Sequence, residues 1–215
     1  FGASTATGAG IKYVGDDGFA FCSNIVSKGG KSGLLTNEDE HKWDTMLAYS
    51  QDQYHVSLSM SQQHEDWASF SYYATDAAVA VEEDSNATAY AARAYWRPQE
   101  SGTATPEISA GYDMSVIDGA ANSEDETTAW FAGLTWKDSF QADDKIGLAF
   151  GQPLKATKYG ASGSTDVDPF LWEAYYSYKV NDAVTVQPAV FGGSDVRSDT
   201  KDDIFGVALT TYFKF

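Results

Sequence analysis

The chain has 215 residues, enough for one all-β domain or two small ones. Its 14 basic and 31 acidic residues give a formal net charge of −17, which excludes a general nucleic-acid binder because phosphates would be repelled. One cysteine, Cys22, excludes an internal disulfide framework and a cysteine-based metal cluster, and neither a metal site nor a cofactor is predicted. No apolar run is long enough for a transmembrane helix, but a membrane strand needs only about 9–11 residues with alternate ones apolar.

Alternation of large apolar residues with small or polar ones dominates the chain and predicts β-strands. Because successive strand side chains point to opposite faces, each segment has one apolar, aromatic face and one small or polar face. In chain order we predict about eleven strands: a short one at Ile11 and Tyr13, then Phe19–Ile25, Trp43–Tyr49, Tyr54–Met60, Tyr90–Trp96, Ile108–Met114, Trp130–Trp136, Ile146–Phe150, Phe170–Tyr178, Val184–Val190 and Phe205–Phe215.

The connections between these segments alternate in length. Short links fall near Gly15–Gly18, Ser50–Gln53, Pro98–Thr105, Asp138–Lys145 and Asn181–Ala183; long links fall near Gly29–His41, Gln62–Asn86, Val116–Glu126, Pro153–Asp168 and Gly192–Asp202. Short periplasmic turns and long outer loops are typical of an antiparallel transmembrane β-barrel of the outer-membrane type. A soluble β-sandwich is the alternative, but its Greek-key connections would not alternate so regularly.

Aromatic residues at the ends of the strands support the membrane interpretation. Pairs such as Trp130 and Trp136, or Trp172 and Tyr178, are six residues apart, roughly 20 Å along a strand. That spacing predicts two interfacial aromatic girdles around an apolar band. We expect Trp96, Trp136, Tyr178 and Phe215 to form one belt at the periplasmic edge.

Three segments carry a family resemblance. Gly-Leu-Ala-Phe-Gly-Gln-Pro at 147–153, Pro-Phe-Leu-Trp-Glu-Ala-Tyr-Tyr at 169–176 and the segment from Ile204 to Phe215 are similar to segments of the carbohydrate-selective (OprB-type) porin family in its cyanobacterial branch. The terminal Tyr-Phe-Lys-Phe at 212–215 resembles the C-terminal signal of outer-membrane barrels in general. The resemblance implies a non-enzymatic porin in the outer membrane of a Gram-negative-type cell. It also implies passive diffusion of small hydrophilic solutes, either sugars or inorganic ions, because relatives in this branch are also described as iron-uptake porins.

Domain organisation and partners follow from the same resemblance. It implies a barrel of about sixteen strands, preceded by an S-layer-homology domain that contacts peptidoglycan. We therefore expect residues 1–215 to be a barrel domain that is incomplete, because an odd strand count pairs its end strands in parallel and an open edge is not tolerated in lipid. The expected partners are outer-membrane lipid, lipopolysaccharide and further copies of the chain, as in a trimer. The alternative function is a structural anchor between the membrane and the cell wall.

The small, polar face of the strands predicts the pore lining. The charged residues that we assign to it are Arg93, Arg97, Glu107, Asp113, Lys137, Glu173, Lys179 and Lys214. Four of them, which we call the inner-mouth cations, lie near the periplasmic ends of their strands and predict a basic ring that attracts anions: Arg97, Lys137, Lys179 and Lys214. A solvated rim is the alternative. The others predict a mixed-charge wall with a transverse field, or simply a wettable one.

The connection from Gln62 to Asn86 is the longest and contains four aromatic residues: Trp67, Phe70, Tyr72 and Tyr73. So many apolar side chains favour packing, either inside the lumen as a constriction loop or against a neighbouring subunit. The acidic long loops indicate a cation-attracting outer vestibule or surface solubility. An enzyme is not favoured, because His64-Glu65-Asp66 is accompanied by neither G-x-S-x-G nor H-E-x-x-H.

Overall fold

A computed structural model describes residues 7–28, 40–64, 86–118, 124–158, 168–196 and 202–214. They form eleven strands: β1 (Thr7–Val14), β2 (Phe19–Ser27), β3 (His41–Ser50), β4 (Tyr54–His64), β5 (Asn86–Trp96), β6 (Glu107–Asp118), β7 (Glu124–Lys137), β8 (Lys145–Lys158), β9 (Phe170–Asn181), β10 (Val184–Ser194) and β11 (Ile204–Phe213). The described residues include no helix that is long and apolar enough to cross a membrane.

All eleven strands belong to one sheet in which each strand pairs with its sequence neighbours. Every adjacent pair is antiparallel, so the chain forms an up-and-down meander and the predicted strand number is confirmed. Strands β1 and β11 are the edges, and within the described residues they do not pair with each other. Because the direction reverses at each step, both edge strands run the same way.

The register keeps side chains of one kind on one face. Directly opposed residues in an antiparallel pair share a face, and one row runs from Leu47 through Leu58, Ala92, Tyr112 and Trp130. A row on the other face runs from Ser57 through Arg93, Gly111, Phe131, Gly151 and Leu171. The alternation read from the sequence therefore persists across the sheet, and the two faces differ in chemistry.

The sheet curves, with the small and polar face inside. A hollow of about 640 Å³ is lined by residues of seven consecutive strands, from Cys22 on β2 and Asp44 on β3 to Leu154 on β8. In a flat sheet the six spacings from β2 to β8 would extend over about 29 Å. A single hollow in contact with all seven strands indicates that the sheet curves toward this side. We call this side the concave face and the other the convex face.

The convex face is apolar and uncovered. Leu47, Leu58, Val207 and Leu209 are between 52% and 72% exposed, while the buried hydrophobic residues of the described part are few and mostly small. A soluble β-sandwich would bury this face in a core. An apolar surface of this extent belongs in contact with lipid hydrocarbon.

Most charged side chains of the strands lie on the concave face. By register they are Lys12, Lys42, Asp44, Arg93, Glu107, Asp113, Lys137, Lys145, Glu173 and Lys179. Asp118, Glu126 and Lys155 lie on the convex face, in the part of their strands nearest the long loops. Charges toward lipid are costly, whereas charges toward water are not. This segregation places water on the concave side and lipid on the convex side.

Aromatic residues of the convex face gather at one end of the strands and again about midway along them. At the end with the short links, which we call the turn end (the opposite end is the loop end), the Phe19 and Tyr49 ring centroids lie 4.6 Å apart, and Tyr54 follows at 5.9 Å from Tyr49. About midway along β7 and β8, the Trp130 ring lies 6.2 Å from Phe150. In the predicted belt, Trp96 and Tyr178 are exposed and Trp136 is partly exposed, all at the turn end. Phe215 lies outside the described residues.

The short links are found where they were predicted, at 15–18, 51–53, 97–106, 138–144 and 182–183. At the loop end the strands are longer than predicted: β6 continues to Asp118, β7 starts at Glu124, and β8 runs through Pro153 to Lys158. Proline lacks a donor, so Pro153 is tolerated because the β7–β8 register shifts beside it, between Thr128 and Trp130. Beyond the lipid both faces meet water, so hydropathy no longer alternates there.

Candidate solute pathway on the concave face

Arg93 and Asp113 form an ion pair about midway along the strands, on the concave face. The Arg93 Nη2 donates to both Asp113 oxygens at 2.7 Å, and Nη1 donates to the carbonyls of Ala92 and Tyr112 at 2.9 and 3.2 Å. The guanidinium carbon lies 5.6 Å from the Phe131 ring centroid. Because both of its Nη groups are engaged, Arg93 is held against the wall, and with Asp113 it forms a fixed dipole on the concave face.

Two of the inner-mouth cations face carboxylates. The Lys137 Nζ lies 2.6 Å from Glu107 Oε1. The Lys179 Nζ lies 2.7 Å from Asp143 Oδ2 and 3.1 Å from Asp182 Oδ1. Their charges are thus compensated locally, by acids on a neighbouring strand and in two turns.

The other two inner-mouth cations have no ion pair among the described residues. The Arg97 Nε donates to the Asp52 carbonyl at 2.6 Å, which fixes the side chain at the rim of a polar hollow of about 670 Å³. The Lys214 side chain is exposed, and its backbone N–H donates to the Ala183 carbonyl at 2.9 Å. The four side chains do lie at the turn end, as predicted, but the effect of the basic ring on anions remains a prediction.

The link between β7 and β8 is built around Asp144, whose side chain is buried. Its carboxylate accepts hydrogen bonds from the Ser139, Phe140 and Gln141 N–H groups at 2.7, 3.0 and 3.2 Å, and from the Tyr176 hydroxyl at 2.9 Å. Burial raises the pKa of Asp144, but these four hydrogen bonds outweigh it and hold the pKa below its ordinary value. The ionised carboxylate therefore stabilises the turn.

Glu173 is exposed on the concave face of β9. It is directly opposed to Ala149 on β8 and to Phe191 on β10, so no charged neighbour stands beside it across the sheet. Within the described ranges its carboxylate makes no hydrogen bond or ion pair. Of the predicted wall residues, Arg93, Asp113, Glu107 and Lys137 are paired, whereas Glu173 has no such partner in the described ranges.

The predicted constriction loop residues Trp67, Phe70, Tyr72 and Tyr73 lie outside the described residues, so the constriction remains a prediction. At the base of that connection, the His64 ring stacks on His41 with centroids 5.0 Å apart. No group of three or more His, Cys, Asp or Glu side chains in the described part of the chain is placed to hold a metal ion.

Sequence reasoning missed an arrangement of aromatic rings over glycines on the concave face. Directly opposed pairs join Gly111 to Phe131, Gly147 to Tyr175 and Gly206 to Phe191. In each pair a methyl group on the glycine would overlap the ring, so the ring lies along the wall. The signal was present as inward glycines and inward aromatics, but only the register shows that they face each other.

The curved antiparallel sheet, its lipid-facing convex side and its charged concave side define an outer-membrane β-barrel protein of the porin class. The match to a family model supports this class and makes it specific. The chain belongs to the carbohydrate-selective porin, OprB family, whose model matches residues 42–191, from β3 into β10. This is a family of non-enzymatic channels of the outer membrane. The comparison with curated proteins gave no match.

Proposed function

We propose that this chain forms the wall of a passage through which small hydrophilic solutes, sugars foremost, diffuse down their gradients. The segregation of strand charges to the concave face carries the proposal, since that face is wettable along its length while the convex face is not. The family supplies the solute class, because its description is that of a carbohydrate-selective porin.

Paired charges along the wall favour the passage of neutral solutes. Arg93 with Asp113 and Lys137 with Glu107 hydrate the wall and add little net charge at their positions. A neutral sugar exchanges hydroxyl contacts with such pairs and with water, at little electrostatic cost. Small inorganic ions share the same aqueous route. The iron implied by the sequence resemblance is not part of this proposal.

Closure of the wall needs more than the described sheet. Strands β1 and β11 each have one edge of backbone N–H and C=O groups without a strand partner in the described ranges. Such edges are not stable in hydrocarbon. We propose that further strands pair with them, so that the end strands need not pair in parallel. Lipid and lipopolysaccharide then cover the convex face, while self-association and a peptidoglycan contact stay predictions.

Liposome swelling tests the function. Liposomes that contain the protein should swell in isotonic solutions of mono- and disaccharides, at rates that fall as the sugar becomes larger. Folding should be verified by the heat-dependent mobility shift that barrels show in gel electrophoresis. Folded protein that leaves swelling at the rate of empty liposomes would contradict a pore and favour the structural anchor.

A further inference from the structure

We propose that a hollow on the concave face between β7 and β10 is a binding subsite for one pyranose unit of a neutral oligosaccharide. The hollow has a volume of about 440 Å³ and is lined by inward side chains that include Phe131, Leu171, Glu173 and Phe191. This inference rests on the proposed function, because it requires a solute to reach the passage.

The floor of the hollow is smooth. Ala149 and Gly151 on β8 lie between Phe131 on β7 and the β9 residues Leu171 and Glu173. A methyl group on Gly151 would overlap the Trp130 carbonyl oxygen and the Cα of Phe131, so this position accepts no larger residue without a shift of the wall. The absence of bulk at both floor positions leaves room for a flat ring against the sheet.

The two phenylalanine rings that flank the hollow are oriented so that they leave it open. Phe131 leans over Gly111 and Phe191 leans over Gly206, each toward the strand on the side away from β8 and β9. Phe131 is nonetheless 40% exposed, so part of its surface remains in contact with the passage. Rings that projected straight inward would fill the lumen, whereas rings along the wall offer apolar surface without obstructing it.

Two carboxylates stand among these apolar surfaces: Asp113, which already binds Arg93, and Glu173. Glu173 lies beside Phe191 in the register, is exposed, and has no hydrogen-bond or ion-pair partner in the described part of the chain. A carboxylate accepts several hydrogen bonds and donates none, so it suits the hydroxyl groups of a sugar. Pyranoses combine C–H faces that pack on aromatic rings with a hydroxyl rim. Apolar lining with few polar groups is the usual composition of a ligand site.

The charge of the site selects among hydrophilic solutes. Glu173 disfavours anions such as sugar phosphates or carboxylates, and Arg93 does not offset it because Asp113 already binds the guanidinium. The aromatic and aliphatic lining disfavours a hydrated inorganic ion. The occupant consistent with both features is an uncharged sugar.

Block of ion current by maltotriose in a planar bilayer tests the subsite. Phe131→Leu, Phe191→Leu and Glu173→Gln keep approximate volume, and each should raise the half-blocking concentration about three- to tenfold. Tyr175→Leu is the matched control, since Tyr175 also covers a glycine but does not line the hollow. Its half-blocking concentration should equal that of the wild type. Every variant should show the heat-dependent mobility shift of a folded barrel.

Three results would overturn the inference and leave the pore intact: open channels that maltotriose does not block, equal block in the wild type and all four variants, or block by a monovalent organic cation alone. Wild-type protein that is folded but never conducts would contradict the proposed function itself. The two failures are therefore distinguishable in one experiment.

Discussion

At the scale of single residues, the structure shows which charges of the wall are already satisfied. Arg93, Lys137 and Lys179 meet carboxylates, and Asp144 meets four donors. Because these charges are paired, the concave face adds little net electric field, and it remains a wettable lining with local dipoles.

Asp144 should make the stability of the barrel depend on pH. Its pKa in the folded protein is lower than in the unfolded chain, where a value of about 3.9 is usual. The stabilisation is therefore complete above about pH 4 and is lost as the pH falls through the folded-state pKa. Urea unfolding midpoints in detergent should decline across that acidic window. Asp144→Asn should lower the midpoint at pH 7 and flatten the decline, and an unchanged midpoint at pH 7 would contradict the role of the carboxylate.

The Arg93–Asp113 interaction should contribute little to the free energy of unfolding but should have a measurable effect on ion selectivity. The two side chains are 39% and 33% exposed, so a double-mutant cycle with Arg93→Gln and Asp113→Asn should give about 0–1 kcal/mol in the free energy of unfolding. Reversal potentials in a salt gradient should shift toward cations for Arg93→Gln and toward anions for Asp113→Asn. The double variant should return near the wild type; potentials that stay fixed in both single variants would show that the pair does not face the passage.

At the scale of elements, successive residues of each strand face lipid and water in turn. In a Cys22→Ser background, Ser59→Cys places a thiol on the concave face and Leu58→Cys places one on the convex face. A membrane-impermeant maleimide should label position 59 in liposomes and leave position 58 unlabelled. Labelling of both positions in detergent-denatured protein is the control, and the reverse pattern in liposomes would invert the assigned faces.

The strands were predictable because their alternation is physical: Phe205 to Phe213, for example, must present every second residue to lipid. The short links were predictable for a related reason, since Gly18 needs its positive φ of 95° and lies under the Ser50 carbonyl. The residues at which β6, β7 and β8 end on the loop side were not predictable, because beyond the lipid neither face of a strand needs to be apolar. The partners of Lys137 and Lys179 and the ring over Gly147 depend on register, which alternation alone leaves open.

At the scale of the whole molecule, we expect the charges at the turn end to set the field at the inner mouth. Replacement of all four inner-mouth cations with Gln should shift the reversal potential toward cation preference, because Glu107, Asp143 and Asp182 lose their counter-charges. Measurement in a tenfold salt gradient checks this. The matched control replaces Lys12, on the same face but in edge strand β1, with Gln. A potential that does not move in the fourfold variant would leave these residues as a solvated rim.

Solutes can cross only if water fills the concave side of a closed wall. Planar-bilayer recording of the purified protein, shown to be folded by its heat-dependent mobility shift, tests for such a water-filled passage most directly. We predict stepwise openings whose conductance rises in proportion to the salt concentration and shows little dependence on voltage, as expected for a wide aqueous passage. Insertion of folded protein without any conductance step would contradict it.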